Sequence, residues 1–507
     1  MKTTEYDLIA IGGGTAGLVT AAGAAYLGLK PALVERSDLG GDCLWTGCVP
    51  SKALVASARL AHAMRNAEAL GLVGVSPSHA FEQVMGRMRK ARERVAHHDD
   101  PERFRTMGVD VLFGDARFVD PRTVEVEGVG TIRSPRIVVA TGARAAIPPV
   151  PGLEETGYLT HATAFERNEL PSSVIILGGG PVGLEFAQVY RRLGARVTVV
   201  EMLPEILPRE DPDVARTLRS ILREEGVRFH LGSPAVRIGS ETIPAGEGEG
   251  VRGGEDEPSA GRGPGEREDR ASGAEVHGRG PKVVLLDDGT TIRGHEIFVA
   301  TGREPVTEGL ELARAGVEVR DGAVRVDDRL RTTARTVWAA GDVTGGLQFT
   351  HVADYMARTV VRNAVFPLGT KVDYSCVPRV TYTDPEAAHV GLGQEEAEER
   401  GARTFTAPFH DLDRAIVDGR TGGYVKVSAD GKGRILGATI LGAGAGELVM
   451  PLVLAKQNDL SLSRVSDAVF PYPTMVEGVR KVADDFQRSR LEGRGGQILK
   501  KLVSWLT

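Results

Sequence analysis

Two stretches of this 507-residue chain repeat one pattern, and that pattern limits the folds open to it. Tyr6 to Ile11 reads as a short apolar strand, enters Gly12-Gly13-Gly14-Thr15-Ala16-Gly17, and continues as an Ala-rich helix to Leu27. Pro31 to Val34 forms the next strand and ends at Glu35, 18 residues beyond Gly17. Val174 to Leu177, Gly178-Gly179-Gly180-Pro181-Val182-Gly183, a helix and Arg196 to Val200 repeat the unit and end at Glu201, again 18 residues past the last glycine. In the two units Gly12, Gly14, Gly17 and Gly178, Gly180, Gly183 permit a tight turn and let backbone approach a pyrophosphate at a helix N-terminus. The acid at the end of each second strand is placed to accept from a ribose 2′-hydroxyl. One chain with two such units is expected to hold two dinucleotides. A carboxylate at Glu201 repels a 2′-phosphate, which favours NADH, with NADPH as the alternative.

Only three cysteines occur, and two of them, Cys43 and Cys48, lie in the run Gly41 to Lys52, GDCLWTGCVPSK. A pair at this spacing suits a metal half-site, a redox disulfide or two unrelated core residues. Zinc-type sites want four ligands, and no second cysteine pair or His/Cys cluster follows at a matching spacing, so the redox reading leads. Pro50 suits the first turn of a helix, which sets Cys48 near a helix N-terminus whose partial positive charge favours a thiolate. His97-His98-Asp99-Asp100 reads as a solvated turn, because adjacent side chains point in different directions. The third cysteine, Cys376, is expected as a small buried residue. His351 is expected to pack or hydrogen-bond rather than catalyse.

The pattern GxxCxxxxCVPSK behind an N-terminal glycine fingerprint resembles the active-site segment of the class I flavin- and pyridine-nucleotide-dependent disulfide oxidoreductases. That family includes lipoamide dehydrogenase, glutathione reductase and mercuric reductase, and the resemblance runs across nearly the whole chain. It implies FAD at the first glycine unit, with Thr141 and Gly142 closing the flavin domain beside the cofactor. Ile297 to Gly302 echoes that segment, and Val337 to Val343 resembles the second flavin motif, in which Asp342 binds the ribityl chain. Lys52 and Glu185 are implied as an ion pair beside flavin N5. Hydride would pass from the nicotinamide through the flavin to a Cys43–Cys48 disulfide, with Cys48 facing the flavin and Cys43 meeting the substrate. Val377 to Glu386 resembles the start of the interface domain of a homodimer, in which the C-terminal segment of one subunit completes the active site of the other.

The expected architecture is therefore α/β: two Rossmann-like dinucleotide-binding domains and a C-terminal α+β dimerisation domain. Residues 1–150 and 297–370 are expected to form the flavin domain, with Pro148, Pro149 and Pro151 as a stiff linker, and 151–296 the NAD(P) domain. Within the latter, 239–281 collapses into Gly, Glu, Arg, Pro and Ser and is expected as a flexible surface excursion, bracketed by strands Arg228 to Leu231 and Val283 to Leu286. Residues 371–490 would dimerise. The tail, 491–507, carries Ile498, Leu499, Leu502, Val503 and Leu506 on one helical face and is expected to pack on its own protein. Against 68 acidic residues stand 62 basic ones, a net charge of -6 that argues against nucleic acid or an anionic membrane as partner. No apolar run is long enough for a bilayer span, and the few cysteines fit a reducing compartment, so a cytoplasmic protein is expected.

The substrate is read from Tyr472-Pro473-Thr474-Met475-Val476-Glu477. In lipoamide dehydrogenase and glutathione reductase this segment reads HPTxxE, the histidine serving as acid and base for thiols; here the Glu remains and Tyr472 replaces the His. Disulfide reduction needs a group that donates and later removes a proton near neutrality, and a tyrosine with a reference pKa of about 10 is a poor base there. A soft divalent metal ion asks instead for thiolate ligands and two electrons. The YPTMVEG segment resembles mercuric reductases, so Hg(II) or a related soft electrophile, bound as substrate at Cys43 and Cys48, is the leading expectation, with no resident metal. The vicinal cysteine pair that ends mercuric reductases is replaced by Val503-Ser504-Trp505-Leu506-Thr507, so the metal is expected to arrive as a complex with small thiols. A lipoamide dehydrogenase-like enzyme, a general NAD(P)H:quinone or disulfide reductase, and a redox-sensing flavoprotein are the alternatives.

Overall fold

The computed structural model describes residues 3–78, 80–240, 281–492 and 503–505. Strand β1 (Leu8–Ile11) is buried along its whole length and alternates its contacts, Leu8 and Ala10 in the core on one side, Ile9 and Ile11 in the core on the other. That is the signature of a strand covered on both faces. Helix α1 (Thr15–Tyr26) leads to β2 (Pro31–Glu35), followed by α2 (Gly41–Trp45), α3 (Cys48–Arg65), β3 (Asp110–Phe113) and β4 (Ile137–Val139). Pro50 falls in the first turn of α3, where its missing N–H costs nothing.

The pattern then repeats. Strand β5 (Ser173–Leu177), helix α4 (Pro181–Leu193), β6 (Arg196–Glu201) and β7 (Val227–Leu231) build a second parallel sheet. Strands β8 (Ala235–Ser240) and β9 (Lys282–Leu286) form an antiparallel pair with Ser240 opposite Lys282, so the polar insertion leaves from the tip of a hairpin. Strand β8 was not among the expected strands: Ile238 is its one fully buried residue, which leaves little alternation to read. Of the expected excursion 239–281, Gly239 and Ser240 belong to β8 instead, and 241–280 lie outside the described residues. Strand β10 (Glu296–Val299) pairs with β5 and gives the order β7-β6-β5-β10.

Strand β11 (Val337–Ala339) returns to the first sheet, in the order β11-β4-β1-β2-β3 with every pair parallel. Helix α5 (Thr350–Val365) follows it. The last sheet is antiparallel, in the order β12 (Pro378–Thr381), β13 (Glu386–Gly391), β16 (Ile435–Gly442), β15 (Tyr424–Ala429), β14 (Arg403–Pro408). Helix α6 (Glu477–Glu492) covers it, burying Val479, Val482, Ala483 and Phe486 against Phe405, Val425 and Val427. These spacings put the four apolar side chains on one helical face, the order expected of an α+β layer.

Cys376 is half-exposed rather than buried, on the segment leading into β12, with Ser375 Oγ 3.6 Å from its sulfur. His97–Asp99 form a short 3₁₀ turn, and no metal-binding group of His, Cys, Asp or Glu occurs among the described residues. Most of the expected tail helix, 493–502 with 506–507, lies outside the described residues. Among the described residues no helix is long and apolar enough to cross a membrane.

Candidate active site

The two glycine turns are built alike down to individual contacts. Gly12 and Gly178 have φ of 108° and 111°, and a Cβ on either would lie 2.4 Å from a carbonyl oxygen, of Ala140 and Ala300 respectively. A Cβ on Gly17 would fall 1.8 Å from Gly12 O, and one on Gly183 would fall 2.1 Å from Gly178 O. These contacts also account for the repeated ATG run, since each Ala carbonyl packs under the first glycine of a turn. Each strand-end acid ties its own turn down: Glu35 Oε2 accepts from Gly13 N at 2.5 Å, and Glu201 Oε2 from Gly179 N at 2.6 Å. Leu203 N donates to the other Glu201 oxygen at 2.9 Å.

One cavity of about 1870 Å³ connects both turns. That exceeds the usual space for a single small ligand. Gly12, Gly14, Glu35, Thr141, Gly142 and Asp342 line it on the first-sheet side, and Gly178, Gly180, Glu201 and Gly302 on the second. Gly17 and Gly183 do not reach it; they permit the turns from beneath. Helices α1 and α4 both start at a glycine with no side-chain cap and no acid in the first turn, so their free N–H groups face the cavity. A Cβ at Gly180 would meet nothing within 4 Å, and one at Gly14 only Gly41 Cα at 3.8 Å. The two open, uncapped helix ends fit the pyrophosphates of two dinucleotides. Met202, Pro208 and Arg209 line the same cavity.

Cys43, Cys48, Lys52 and Glu185 also line the cavity. The cysteines are free thiols here, Cys43 on α2 and Cys48 at the first position of α3. They are unlike. The neighbouring Cys43 thiol brings the Cys48 pKa down to about 6, helped by the Thr350 hydroxyl and the Lys52 charge and opposed by burial. The proximity of Cys48, with burial, pushes Cys43 far above the usual thiol range. Thr350 Oγ1 lies 3.3 Å from Cys48 Sγ. Lys52 Nζ meets Glu185 Oε2 at 2.7 Å across α3 and α4; the Glu185 side chain is 7% exposed, that of Lys52 35%.

A second charged group surrounds Asp42, next to Cys43, and the sequence did not reveal it. Asp42 accepts from Thr46 Oγ1, lies 3.1 Å from His161 Nε2 and pairs with Arg303 at 2.7 Å; Arg303 also reaches Asp342 at 3.3 Å. Burial alone would raise the Asp42 carboxyl, but the His161 hydrogen bond and the Arg303 charge hold it below the usual range. Burial pushes Asp342 up despite Arg303. His161 opens a four-residue helix, His161–Ala164, and carries no motif; Arg303 had a weak signal, following directly on the second ATG run. His351 Nε2 is 2.8 Å from Pro378 O and its ring stacks on Phe349, in keeping with a packing role.

Tyr472 and Glu477 do not line this cavity within one chain. Tyr472 is 70% exposed, and its hydroxyl donates to Asp413 Oδ2 at 2.9 Å, which raises its pKa further from neutrality. Glu477 opens α6 and accepts from Thr474 N at 3.4 Å.

Comparison with known proteins matches residues 6–254 and 268–357 to the pyridine nucleotide-disulphide oxidoreductase family and 377–483 to the dimerisation domain of that family. A mercuric reductase of Streptomyces lividans is 33% identical over 494 residues, covering 95% of this chain and 96% of that protein. A dihydrolipoyl dehydrogenase of Haloferax volcanii is 34% identical over 502 residues, covering 95% and 96%. Among solved structures, the Cu(II) complex of the HOCl-induced flavoprotein disulfide reductase RclA from Escherichia coli superposes with a TM-score of 0.80 at 28% identity, covering 96% of this chain and 99% of that one.

Proposed function

The chain belongs to the pyridine nucleotide-disulphide oxidoreductase family, FAD- and NAD(P)H-dependent enzymes, and from that premise we propose that it reduces a soft, thiol-binding metal ion, Hg(II) foremost, with NADH as donor. Two observations carry the reading: a thiol pair opening on the shared cavity, and Tyr472 at the sequence position where thiol-disulfide enzymes place an imidazole. The two histidines that do line the cavity are engaged elsewhere, His161 with Asp42 and His351 with Pro378. Mercuric reductases among the relatives, and Cu(II) bound by a structural neighbour, support the same substrate class.

In this reading residues 1–150 and 297–370 hold FAD, 151–296 hold NADH, and 371–490 form the dimer. Gly14 with the α1 N-terminus, Glu35, Thr141, Gly142 and Asp342 would hold FAD; Gly180 with the α4 N-terminus, Glu201 and Gly302 would hold NADH. Bound FAD supplies the two-electron chemistry that links the nicotinamide to the thiols. The chain's own groups do the rest. Lys52, oriented by Glu185, places a positive charge beside Cys48 and stabilises its thiolate; Cys43 keeps its proton until a metal ion displaces it. Two sulfurs then bind the metal in exchange for small thiols. The overall change balances as NADH and Hg(II) giving NAD⁺, one proton and Hg(0). Tyr472 and Glu477 are assigned to the partner's site, the tyrosine as a neutral hydroxyl ligand rather than a base.

The test is anaerobic reduction of the purified holoprotein by NADH, then addition of Hg(II) with excess small thiol, oxidised lipoamide or a quinone. Turnover with mercury supports the reading. Rapid lipoamide turnover overturns the argument from Tyr472, and turnover with quinone alone assigns general electron transfer.

A further inference from the structure

The turn between β12 and β13 belongs to the dimerisation sheet, yet it lies across both helices that carry the Lys52–Glu185 pair. Tyr382 N donates to Glu185 Oε1 at 3.0 Å, while Lys52 takes the other oxygen, Oε2. The Tyr382 ring sits 4.4 Å from Lys52 Nζ, a cation–π distance. The carboxylate is thus gripped from two domains, and the ammonium is packed against a third-domain ring.

Two residues on, Asp384 anchors the turn. Its backbone N donates to Gln188 Oε1 at 2.8 Å and its carbonyl accepts from Gln188 Nε2 at 2.8 Å. Its carboxylate takes Arg192 at 2.9 Å, and Arg59 approaches the same oxygen at 3.9 Å. Glu185, Gln188 and Arg192 stand at i, i+3 and i+7 on one face of α4, and Lys52 and Arg59 at i and i+7 on α3. Arg192 is 4% exposed and is held on its other side by Glu225 at 2.7 Å, so it offers a fixed post rather than a mobile surface charge. Arg59 also meets Glu386 at 3.2 Å, closing the turn at its far end.

We propose that Asp384 is a positioning residue for the reducing site: by fixing the turn on Gln188 and Arg192 it holds the Tyr382 N–H and ring on Glu185 and Lys52. The seating of the dimerisation domain thereby sets the electrostatics beside Cys48. The role rests on the proposed function insofar as Lys52 and Glu185 work at the flavin.

The experiment uses the FAD-loaded protein in six forms: native, Asp384→Asn, Glu185→Gln, the double variant of these two, Asp384→Glu and Arg192→Gln. Two readouts are taken at fixed pH: the single-turnover rate of flavin reduction by NADH, and the long-wavelength charge-transfer absorbance of the reduced form, which reports the Cys48 thiolate beside the flavin. Asp384→Asn is expected to slow reduction about tenfold and to lower the absorbance, because a misplaced Lys52 stabilises the thiolate less. In the Glu185→Gln background the same change should add little, since residues acting through one contact are not additive. Asp384→Glu, which keeps a carboxylate for Arg192, should recover most of both signals, and Arg192→Gln, loosening the anchor from the helix side, should reproduce the loss. An equal loss in both backgrounds, or a change only in melting temperature and FAD content, overturns the assignment. A native protein whose flavin NADH does not reduce overturns the proposed function as well.

Discussion

Replacing Cys43 by Ala isolates the largest of the effects that make Cys48 a thiolate. With its pKa near 6, Cys48 is ionised to about nine parts in ten at pH 7, whereas an ordinary cysteine at about 8.5 is ionised to about 3%. Cys43 supplies the leading stabilisation, and the Thr350 hydroxyl at 3.3 Å and the Lys52 charge remain in the variant. The midpoint should therefore rise well above 6, since burial, the second-largest influence, still opposes the thiolate. Iodoacetamide alkylation of the reduced protein as a function of pH, read by mass on the Cys48 peptide, measures it directly, and the rate at pH 7 should fall severalfold. Cys43→Ser, which keeps an O–H donor, should shift it less. The sign for stability follows. A thiol whose folded pKa lies below its unfolded one stabilises the fold fully above about pH 8.5, and that contribution is lost as pH falls through about 6. Cys43→Ala should flatten this dependence. A midpoint that stays near 6 in Cys43→Ala would refute the pairing of the two sulfurs as its cause.

Gly17→Ala should yield protein without flavin, because the new Cβ would fall 1.8 Å from Gly12 O; a flavin-to-protein ratio near the native one contradicts the packing argument. Glu201→Gln keeps the shape of the residue that ties down Gly179 and Leu203 but loses its charge, so KM for NADH should rise about tenfold while KM for NADPH changes less. An unchanged ratio of the two KM values removes Glu201 from the ribose. His389, 1% exposed between Thr439 and the Gly391 carbonyl, has its pKa pushed down to about 4 by burial. The unfolded chain therefore takes up this proton first as pH falls below about 6.5. Stability should drop by about 2 kcal/mol between pH 7 and pH 5, levelling off near pH 4, in urea titrations. His389→Gln should lose most of that slope; identical slopes would assign it elsewhere.

The parts of this site that were legible in the sequence are the ones built locally. A glycine turn, its helix and the acid that ties it down lie within 24 residues, counted from Gly12 to Glu35 and from Gly178 to Glu201, and each obeys backbone geometry that few other residues satisfy. The position of Cys48 at a helix start followed from Pro50 alone. What escaped depends on chain folding over long separations. Asp42 meets His161 across 119 residues and Arg303 across 261, and each pairing is chosen by the third dimension rather than by spacing. The grip of Tyr382 on Glu185 runs through a backbone N–H, which no side-chain motif encodes. Strand β8 escaped for a different reason, since a mostly exposed edge carries no apolar rhythm.

In the proposed reaction, reducing equivalents from NADH reach a soft metal ion through Cys43 and Cys48. One anaerobic titration tests it most directly: the holoprotein is reduced with NADH, Hg(II) is added with excess small thiol, and Hg(0) release and reoxidation are followed together in the native protein and in Cys48→Ser. Hg(0) is expected in proportion to NADH oxidised in the native protein, with none in the variant. Equal mercury reduction by Cys48→Ser, or a reduced native protein that mercury does not reoxidise, would contradict it.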